Sequence, residues 1–377
     1  MEKILLGLSG GVDSAVAAFL LKEQGYDVTC CFMRNWDALA NQDILGNPTI
    51  QDDVCPQEVD YQDAVAAAEL LGLPLLRVDF IKEYWDEVFQ VFLTEYSRGR
   101  TPNPDILCNK HIKFHSFLTY AKELGFEKIA TGHYARIIEE KGSYYLGRGK
   151  DNNKDQSYFL AQISRDCLKD CYFPLGELEK HEVREIAEKL QLSIAKKKDS
   201  TGICFIGERN FKDFLSNYLP AKKGDIIDIE TKDVVGKHNG VLYYTLGQRK
   251  GLGIGGIRGP WFVVGKDVLK NELYVTCNET HSSLLSDACS LVDINWLVEE
   301  SQLPVSCTAK FRYRQKDEAI QFIKNDAGCY FAHYSAIAAV TPGQQVVFYD
   351  GAIVLGGATI DDVYFNGKNL KERLEGE

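Results

Sequence analysis

Leu6-Gly7-Leu8-Ser9-Gly10-Gly11-Val12-Asp13-Ser14 is the stretch on which the reading of this chain turns. Residues 3–8 ahead of it have the composition of a short buried strand, and residues 15–21 behind it begin a helix. Between them lies a turn of small residues, two hydroxyls and one acid. Strand, glycine turn and helix N-terminus in succession make a backbone cradle for phosphate, because the amides carry no obstructing side chain and the helix dipole favours an anion. The common nucleotide cradle closes on Gly-Lys-Ser/Thr, and this chain has no lysine there. A plain glycine turn is the bland alternative; the hydroxyls and Asp13 fixed around Gly10-Gly11 weigh against it.

Outward from the cradle, strand-like and helix-like runs alternate. Residues 27–33, 75–78 and 128–131 are β-rich, while 61–71, 84–96 and 112–124 place apolar residues at helical spacing. Such alternation predicts a parallel sheet with helices on both faces and ligands at the carboxyl ends of the strands. Residues 144–148 read as a hairpin at the edge of this domain, and 179–190 as an amphipathic helix. After about Phe205 the pattern becomes short β runs with glycine breaks, including 224–229, 240–245 and 261–265. From about Cys289 onward short strands dominate, separated by turns such as Pro342-Gly343 and Asp350-Gly351. The expected fold class is α/β: an N-terminal doubly wound parallel sheet over residues 1–205, a small central linker domain over 206–283, and a C-terminal antiparallel β-barrel over 284–377.

Composition bounds the function. A chain of 377 residues exceeds one typical core, and 45% apolar with 26% charged residues is ordinary for a globular protein. The 11 cysteines are scattered and form no Cys-x-x-Cys pair, which excludes a zinc ribbon or a thioredoxin-type dithiol. No leader-like or membrane-spanning run is present, so a cytoplasmic protein with reduced thiols, monomeric and without a membrane partner, is expected. A net charge of −11 opposes nonspecific nucleic-acid binding but leaves room for local basic patches. Lys196-Lys197-Lys198 and the alternation Lys310, Arg312, Arg314, Lys316 are such patches, each of which also reads as a solvated face.

Two segments carry candidate sulfur chemistry. In Arg100-Thr101-Pro102-Asn103-Pro104-Asp105-Ile106-Leu107-Cys108-Asn109 two prolines stiffen a loop. If the chain turns helical at Asp105, the acid and the Cys108 thiol share a face, which suits proton transfer coupled to sulfur. Equally, Asp105 caps the helix and Cys108 is a small core residue. In Asp199-Ser200-Thr201-Gly202-Ile203-Cys204-Phe205, Cys204 follows a cationic run, but its apolar neighbours favour a buried structural cysteine. Gly132-His133 at a strand end and Lys154-Asp155-Gln156 at a helix mouth suit nucleotide or phosphate contact as well as ordinary local hydrogen bonding.

Taken together and in order, these segments resemble the tRNA-specific 2-thiouridylase family, over nearly the whole chain. Gly-Leu-Ser-Gly-Gly-Val-Asp-Ser is similar to the pyrophosphate loop of enzymes that split ATP between its α and β phosphates. Ala-Thr-Gly-His-Tyr-Ala-Arg, Lys-Asp-Gln-Ser-Tyr-Phe-Leu, Asp-Ser-Thr-Gly-Ile-Cys-Phe-Ile-Gly, Tyr-Thr-Leu-Gly-Gln-Arg-Lys-Gly and Phe-Arg-Tyr-Arg follow the proline loop in family order. The resemblance implies that Gly7, Leu8, Ser9, Gly10, Gly11, Val12, Asp13 and Ser14 bind ATP with Mg²⁺, and that Met33 and Gly132 border the adenosine. It implies that Asn103, Pro104 and Asp105 face the wobble uridine at position 34 of tRNA, with His133, Lys154, Asp155, Gln156, Arg312, Tyr313 and Gln344 also touching the tRNA. Cys204 would carry sulfur from a persulfide donor protein, and Cys108 would be its catalytic partner and disulfide mate, with Asp105 moving the proton. One departure stands out: Gly356-Gly357-Ala358-Thr359-Ile360 has a methyl where the family has a third glycine.

Three other readings use the same residues. Asp105, Cys108 and Cys204 would ligate an Fe–S cluster that activates sulfide; or the loop would serve an ammonia-dependent synthetase acting on a small metabolite; or the chain would be a tRNA-binding module with a relic nucleotide loop.

Overall fold

The computed structural model describes residues 1–45, 47, 56–199, 210–220, 222–255, 259–325 and 328–375; Cys204 and its neighbours from 200 to 209 lie outside the described residues. β1 (Lys3–Gly7) is buried throughout after Lys3 and forms the centre of a parallel sheet. An unbroken apolar run is what a strand covered on both faces requires. β2 (Asp27–Arg34) and β3 (Leu75–Asp79) extend the sheet on one side and β4 (Lys128–Ala130) on the other. After the hairpin β5 (Ala135–Glu140) and β6 (Ser143–Arg148), β7 (Cys171–Tyr172) pairs with β4 as the fifth parallel strand. The order β3-β2-β1-β4-β7 reverses at β1/β4, so the loops leaving those two strands part and open a crevice.

α1 (Val12–Glu23) lays Ala15, Val16, Ala17 and Ala18 on the sheet, fully buried; side chains this small let the helix lie close to it. α2 (Pro56–Leu71) packs beside it. The opposite layer is a helix in three parts, α3 (Ile81–Tyr84), a π-helical turn Trp85–Phe89 and α4 (Gln90–Ser97). Beyond the proline loop a second such helix comprises α5 (Pro104–Leu107), a π-helical stretch Cys108–Ser116 and α6 (Phe117–Glu123). The π turns escaped the sequence reading because an apolar pattern over five to nine residues does not separate 3.6 residues per turn from a wider helix. α7 (Lys180–Lys189) opens with a capping box of Glu179 and Glu182 and packs against α1.

The middle segment holds α8 (Phe211–Ser216) and a four-stranded sheet of β8 (Gly224–Asp228), β9 (Val234–His238), β10 (Phe262–Asp267) and β11 (Glu272–Thr276), ordered β10-β11-β8-β9. The β run expected at 240–245 is instead a 3₁₀ turn at Val241–Tyr243: Gly240, at φ +129°, breaks the extended chain and sends Tyr243 and Tyr244 into the core.

Six antiparallel strands close the C-terminal barrel: β12 (Leu285–Trp296), β13 (Ser306–Lys310), β14 (Glu318–Lys324), β15 (Tyr330–Ala338), β16 (Gln345–Asp350) and β17 (Ile353–Phe365). They run β12-β15-β14-β13-β16-β17, and β12 pairs back onto β17. Closure removes the free edges. Ala358 is fully buried in the barrel core, so the methyl that departs from the family pattern fills interior space. The hairpin β5–β6 was expected on the α/β domain, but Gly147 pairs with Ile353 and joins it to the barrel sheet. The pairing partner lies two hundred residues away in sequence, so no local pattern announces it.

The parts share one apolar interior. A single buried cluster contains Phe89 and Phe117 of the helical layer, Phe214 and Val263 of the middle segment, and Val347 and Tyr349 of the barrel. At the joint, Arg100 bonds Glu95 (2.7 Å) and Asp361 (2.7 Å) and donates to the Ile360 carbonyl (3.0 Å). Gly343 lies so close that a Cβ there would stand 2.8 Å from the Thr101 nitrogen. Replacing Arg100 with Ala removes the cation between Glu95, which keeps Arg98 at 3.1 Å, and Asp361, and should lower unfolding stability by about 1–3 kcal/mol, read as an earlier urea midpoint; an unmoved midpoint would mean the joint contributes nothing.

Candidate active site

At the end of β1 the chain turns through Gly10, whose φ is +73°; a Cβ there would lie 2.1 Å from the Asp60 carbonyl oxygen, so only glycine fits. Across the crevice, a Cβ on Gly132 would lie 2.9 Å from both the Asp13 carbonyl carbon and the Ser14 nitrogen. Gly10 therefore presses its loop against α2, and Gly132 presses the loop after β4 against the first turn of α1. Ser14 Oγ accepts from the Ser9 amide (3.2 Å), lies 3.2 Å from Ser9 Oγ and donates to the Gly11 carbonyl (3.0 Å). Gly11 is the N-cap residue and no side chain caps the helix, leaving its first-turn donors to other partners. Met33, on β2, reaches the loop: a Cβ on Gly7 would stand 3.0 Å from its Cε. Two residues on, Asn35 is fully buried with both side-chain polar atoms unpartnered.

A lysine distant in sequence reaches the loop. Lys180, first residue of α7, bonds both carboxylate oxygens of Asp13 at 2.7 and 2.8 Å and Asp199 at 2.7 Å. The Tyr134 hydroxyl donates to Asp13 at 2.8 Å. Asp199 also takes Lys154 at 2.6 Å and Arg184 at 3.0 Å. Burial opposes its ionisation, but the bonds and charges of Lys154 and Lys180 prevail and bring the carboxyl down to about 2. Lys197 donates to the Gly10 carbonyl (3.1 Å) and pairs with Asp60 and Asp63 at 2.8 and 2.6 Å. The middle lysine of the triple run is thus tied to the loop and is no part of a free basic patch.

The proline loop is held as its composition predicts. Asn103, not Asp105, caps α5, its Oδ1 accepting from Asp105 (3.2 Å) and Ile106 (3.4 Å). Pro104 takes the first helical position. The charge of Asp105, which the sequence offered as an alternative cap, reaches the Cys108 thiol. Cys108 itself is fully buried within the main core cluster. Burial pushes its thiol up to about 11, with Lys113 pulling the other way and Asp105 adding to the rise. Lys113 is five residues on from Cys108, a spacing that only a π-helical turn folds back towards the starting face. The same ammonium acts on His133, which burial, aided by Lys113, holds well below its usual pKa and hence neutral. His133 Nδ1 meets Thr131 Oγ1 at 2.7 Å.

Other expected tRNA contacts fall into two groups. Asp155 is buried and serves the chain, accepting from the amides of Gly149 (3.0 Å) and Ser157 (3.1 Å), while Gln156 Oε1 accepts from the Tyr134 amide (3.0 Å). Arg312 is exposed on the barrel, and Tyr313 packs on Phe159 at 4.5 Å between ring centroids. Gln344 donates to the Thr101 carbonyl (2.8 Å), which brings the barrel against the proline loop. Lys180 and Tyr134 went unread in the sequence. Lys180 shows there only as the start of a charge-laced helix, and its partner Asp13 lies 167 residues away.

By fold, this is a nucleotide-crevice α/β domain carrying two β domains. Family models match in the same succession: the tRNA methyl transferase HUP domain over residues 2–208, the tRNA methyl transferase PRC-barrel domain over 212–277 and the aminomethyltransferase beta-barrel domain over 286–360. A tRNA-specific 2-thiouridylase MnmA of Mycoplasma capricolum is 53% identical over 371 residues, covering 96% of this chain and 99% of its own. The protein of that name from Listeria monocytogenes is 52% identical over 370 residues, covering 98% and 97%. The chain belongs to the tRNA-specific 2-thiouridylase family. Among solved structures, an NMN synthetase from Francisella tularensis matches 53% of this chain and 66% of its own, at 19% identity and a TM-score of 0.33, a likeness on which nothing further rests.

With its pKa at about 11, roughly one Cys108 thiol in a thousand is ionised at pH 8. Iodoacetamide should label exposed Cys329 long before Cys108, and the Cys108 rate should climb about tenfold per pH unit. Equal labelling of the two at pH 8, read by peptide mass spectrometry, would contradict the sealed seat.

Proposed function

We propose that this chain is an ATP-dependent tRNA-uridine 2-sulfurtransferase that replaces the C2 oxygen of the wobble uridine with sulfur. The observation that carries the reading is the crevice itself: Gly10 and Gly132 press bare backbone around an uncapped helix start, in a family whose named relatives are tRNA 2-thiouridylases. Residues 1–205 would do the chemistry, 206–283 would join the parts, and 284–377 would grip tRNA through Arg312 and Tyr313.

The C2 oxygen of uracil is a poor leaving group and must be activated. Ser9 to Ser14 would hold the triphosphate so that this oxygen attacks the α-phosphorus; the new O–P bond forms as the bond to pyrophosphate breaks. Backbone donors aimed at the departing phosphates stabilise their growing charge. The oxygen donors Asp13, Ser9 and Ser14 suit a hard divalent cation such as Mg²⁺, which would supply further charge neutralisation. The unpartnered Asn35 amide beside Met33 is the kind of buried donor–acceptor pair that a nucleoside edge satisfies. The terminal sulfur of a Cys204 persulfide would then attack C2, and AMP would leave with the original oxygen. Cys108 would attack the Cys204 sulfur, closing a disulfide between them and leaving the transferred sulfur, with its electron pair, on the base. Asp105 would take up the proton lost by the Cys108 thiol. This sequence requires Cys108 to leave its buried seat before it reacts. An Fe–S reading on Asp105, Cys108 and Cys204 places the same demand on Cys108. A single-stranded anticodon base can be splayed into a pocket at low cost, which suits a loop rather than a duplex as substrate. The sulfur source would be a protein persulfide.

Cys204→Ser should abolish 2-thiouridine while leaving tRNA binding within about twofold, because the change replaces one atom of a sulfur carrier outside the grip. Nucleoside mass spectrometry after incubation with tRNA, ATP and a persulfide donor reads the outcome. It also separates sulfur-for-oxygen exchange from the added methyl group that the names of two matching family models would suggest. Normal 2-thiouridine from Cys204→Ser would sink the carrier role. Arg312→Ala should weaken tRNA binding and lower the salt slope by about 1; an unaltered slope would remove that face of the barrel from the binding surface.

A further inference from the structure

The glycine loop lacks the lysine with which nucleotide cradles commonly meet the outer phosphates. The tertiary structure puts one there. Lys180 projects from the start of α7 so that its ammonium touches both oxygens of Asp13, the second residue of α1. Asp13 follows Gly10-Gly11 with only Val12 between, and its carbonyl carbon is one of the atoms that Gly132 crowds. The Lys180 side chain keeps 13% of its surface open, so it is held but not sealed. Its location is the switch point of a parallel sheet, where this fold binds its ligands.

We propose that Lys180 is the phosphate-contacting cation of this cradle, supplied from a distant helix, and that Asp13 and Asp199 hold its ammonium in place until a nucleoside triphosphate displaces them. The inference rests on the nucleotide reading given above and names a residue and a phosphate position for it. What singles Lys180 out is how its partners are provided for. If the ammonium turns to a phosphate oxygen, Asp199 still has Lys154 at 2.6 Å and Arg184 at 3.0 Å. Asp13 still has the Tyr134 hydroxyl at 2.8 Å and can ligate the cation that accompanies the phosphates. The exchange therefore abandons neither half-buried carboxylate, which is the condition for breaking such a pair at small cost. Lys197 lacks this freedom: its ammonium is divided among Asp60, Asp63 and the Gly10 carbonyl, and turning away would leave Asp60 and Asp63 with no other paired cation among the described residues and would unfasten the loop. Lys197 shapes the cradle, and Lys180 serves its contents.

The test compares ATP with AMP binding by calorimetry, in wild-type protein, Lys180→Met and Lys180→Arg. AMP carries the base, ribose and one phosphate but not the outer two. Lys180→Met should weaken ATP about 10- to 100-fold, the loss expected for one charged hydrogen bond, and leave AMP within twofold. Lys180→Arg, which keeps the charge, should stay within about fivefold of wild type for ATP. Equal losses for ATP and AMP would assign Lys180 a merely structural role and overturn the proposal, as would undiminished ATP binding by Lys180→Met. Wild-type protein that binds no ATP would overturn the nucleotide reading itself, a result distinct from either. If Lys180→Met does not fold, acetylation of Lys180 in the wild-type chain decides: ATP should slow it and AMP should not, and identical rates with and without ATP refute the contact.

Discussion

Everything functional in this chain depends on two strand-end loops lying closer to the neighbouring helices than side chains allow. Gly10 sits on the Asp60 carbonyl, Gly132 sits on the first turn of α1, and Gly7 backs onto Met33. The first two contacts would be lost to a single Cβ. Together they leave a crevice walled by amides and hydroxyls at the point where the parallel sheet reverses its strand order. The buried strand β1 and the alanine face of α1 exist, in structural terms, to hold that geometry still, and the shared apolar core extends the same rigidity to the middle segment and the barrel.

Two chemistries meet around this crevice under opposite electrostatic conditions. The phosphate side is a half-exposed mesh of carboxylates and cations, in which Asp199 is held fully ionised and both Asp13 and Asp199 have more than one partner. Such redundancy permits exchange of partners without stranding a charge. The sulfur side is dry. Cys108 is buried and protonated, His133 is neutral, and Lys113 is the cation that acts on both. A thiol kept in that state is protected from adventitious oxidation and alkylation, and becomes a nucleophile only when its surroundings change. The π-helical turn that carries Cys108 to Ser116 is where the two sides are joined: Phe114 of that turn packs on His133, and Phe117, next after it, reaches Gly7.

How much of this was legible beforehand depended on the range of the interactions. The strand–loop–helix around Gly10-Gly11, the stiff loop Pro102-Asn103-Pro104 and the closing barrel strands are local patterns, and they read correctly. The cap on α5 stayed open, with Asp105 read equally as cap or as acid beside the thiol; the backbone gave the cap to Asn103, two residues earlier. The hairpin β5–β6, read at the edge of the α/β domain, pairs through Gly147 with Ile353 of the barrel sheet. Asp155, legible as a charged side chain at a helix mouth, proved to be a buried acceptor for its own loop. The middle lysine of Lys196-Lys197-Lys198 carried no sign that it alone would fold in against Gly10.

By itself, the amino-acid order determined the cradle, the three-part division into α/β and β segments, and the residue types that sulfur transfer would need, because each is written in spacing and composition within a few turns of chain. Only the tertiary structure decided that Lys180 supplies the cation the loop lacks, that Cys108 is sealed away with its proton, and that Gln344 of the barrel docks on the proline loop. The physical reason is distance along the chain: a charge pair or a closed surface between residues more than a hundred positions apart has no periodicity to betray it, and its energy exists only once the core has brought both ends together.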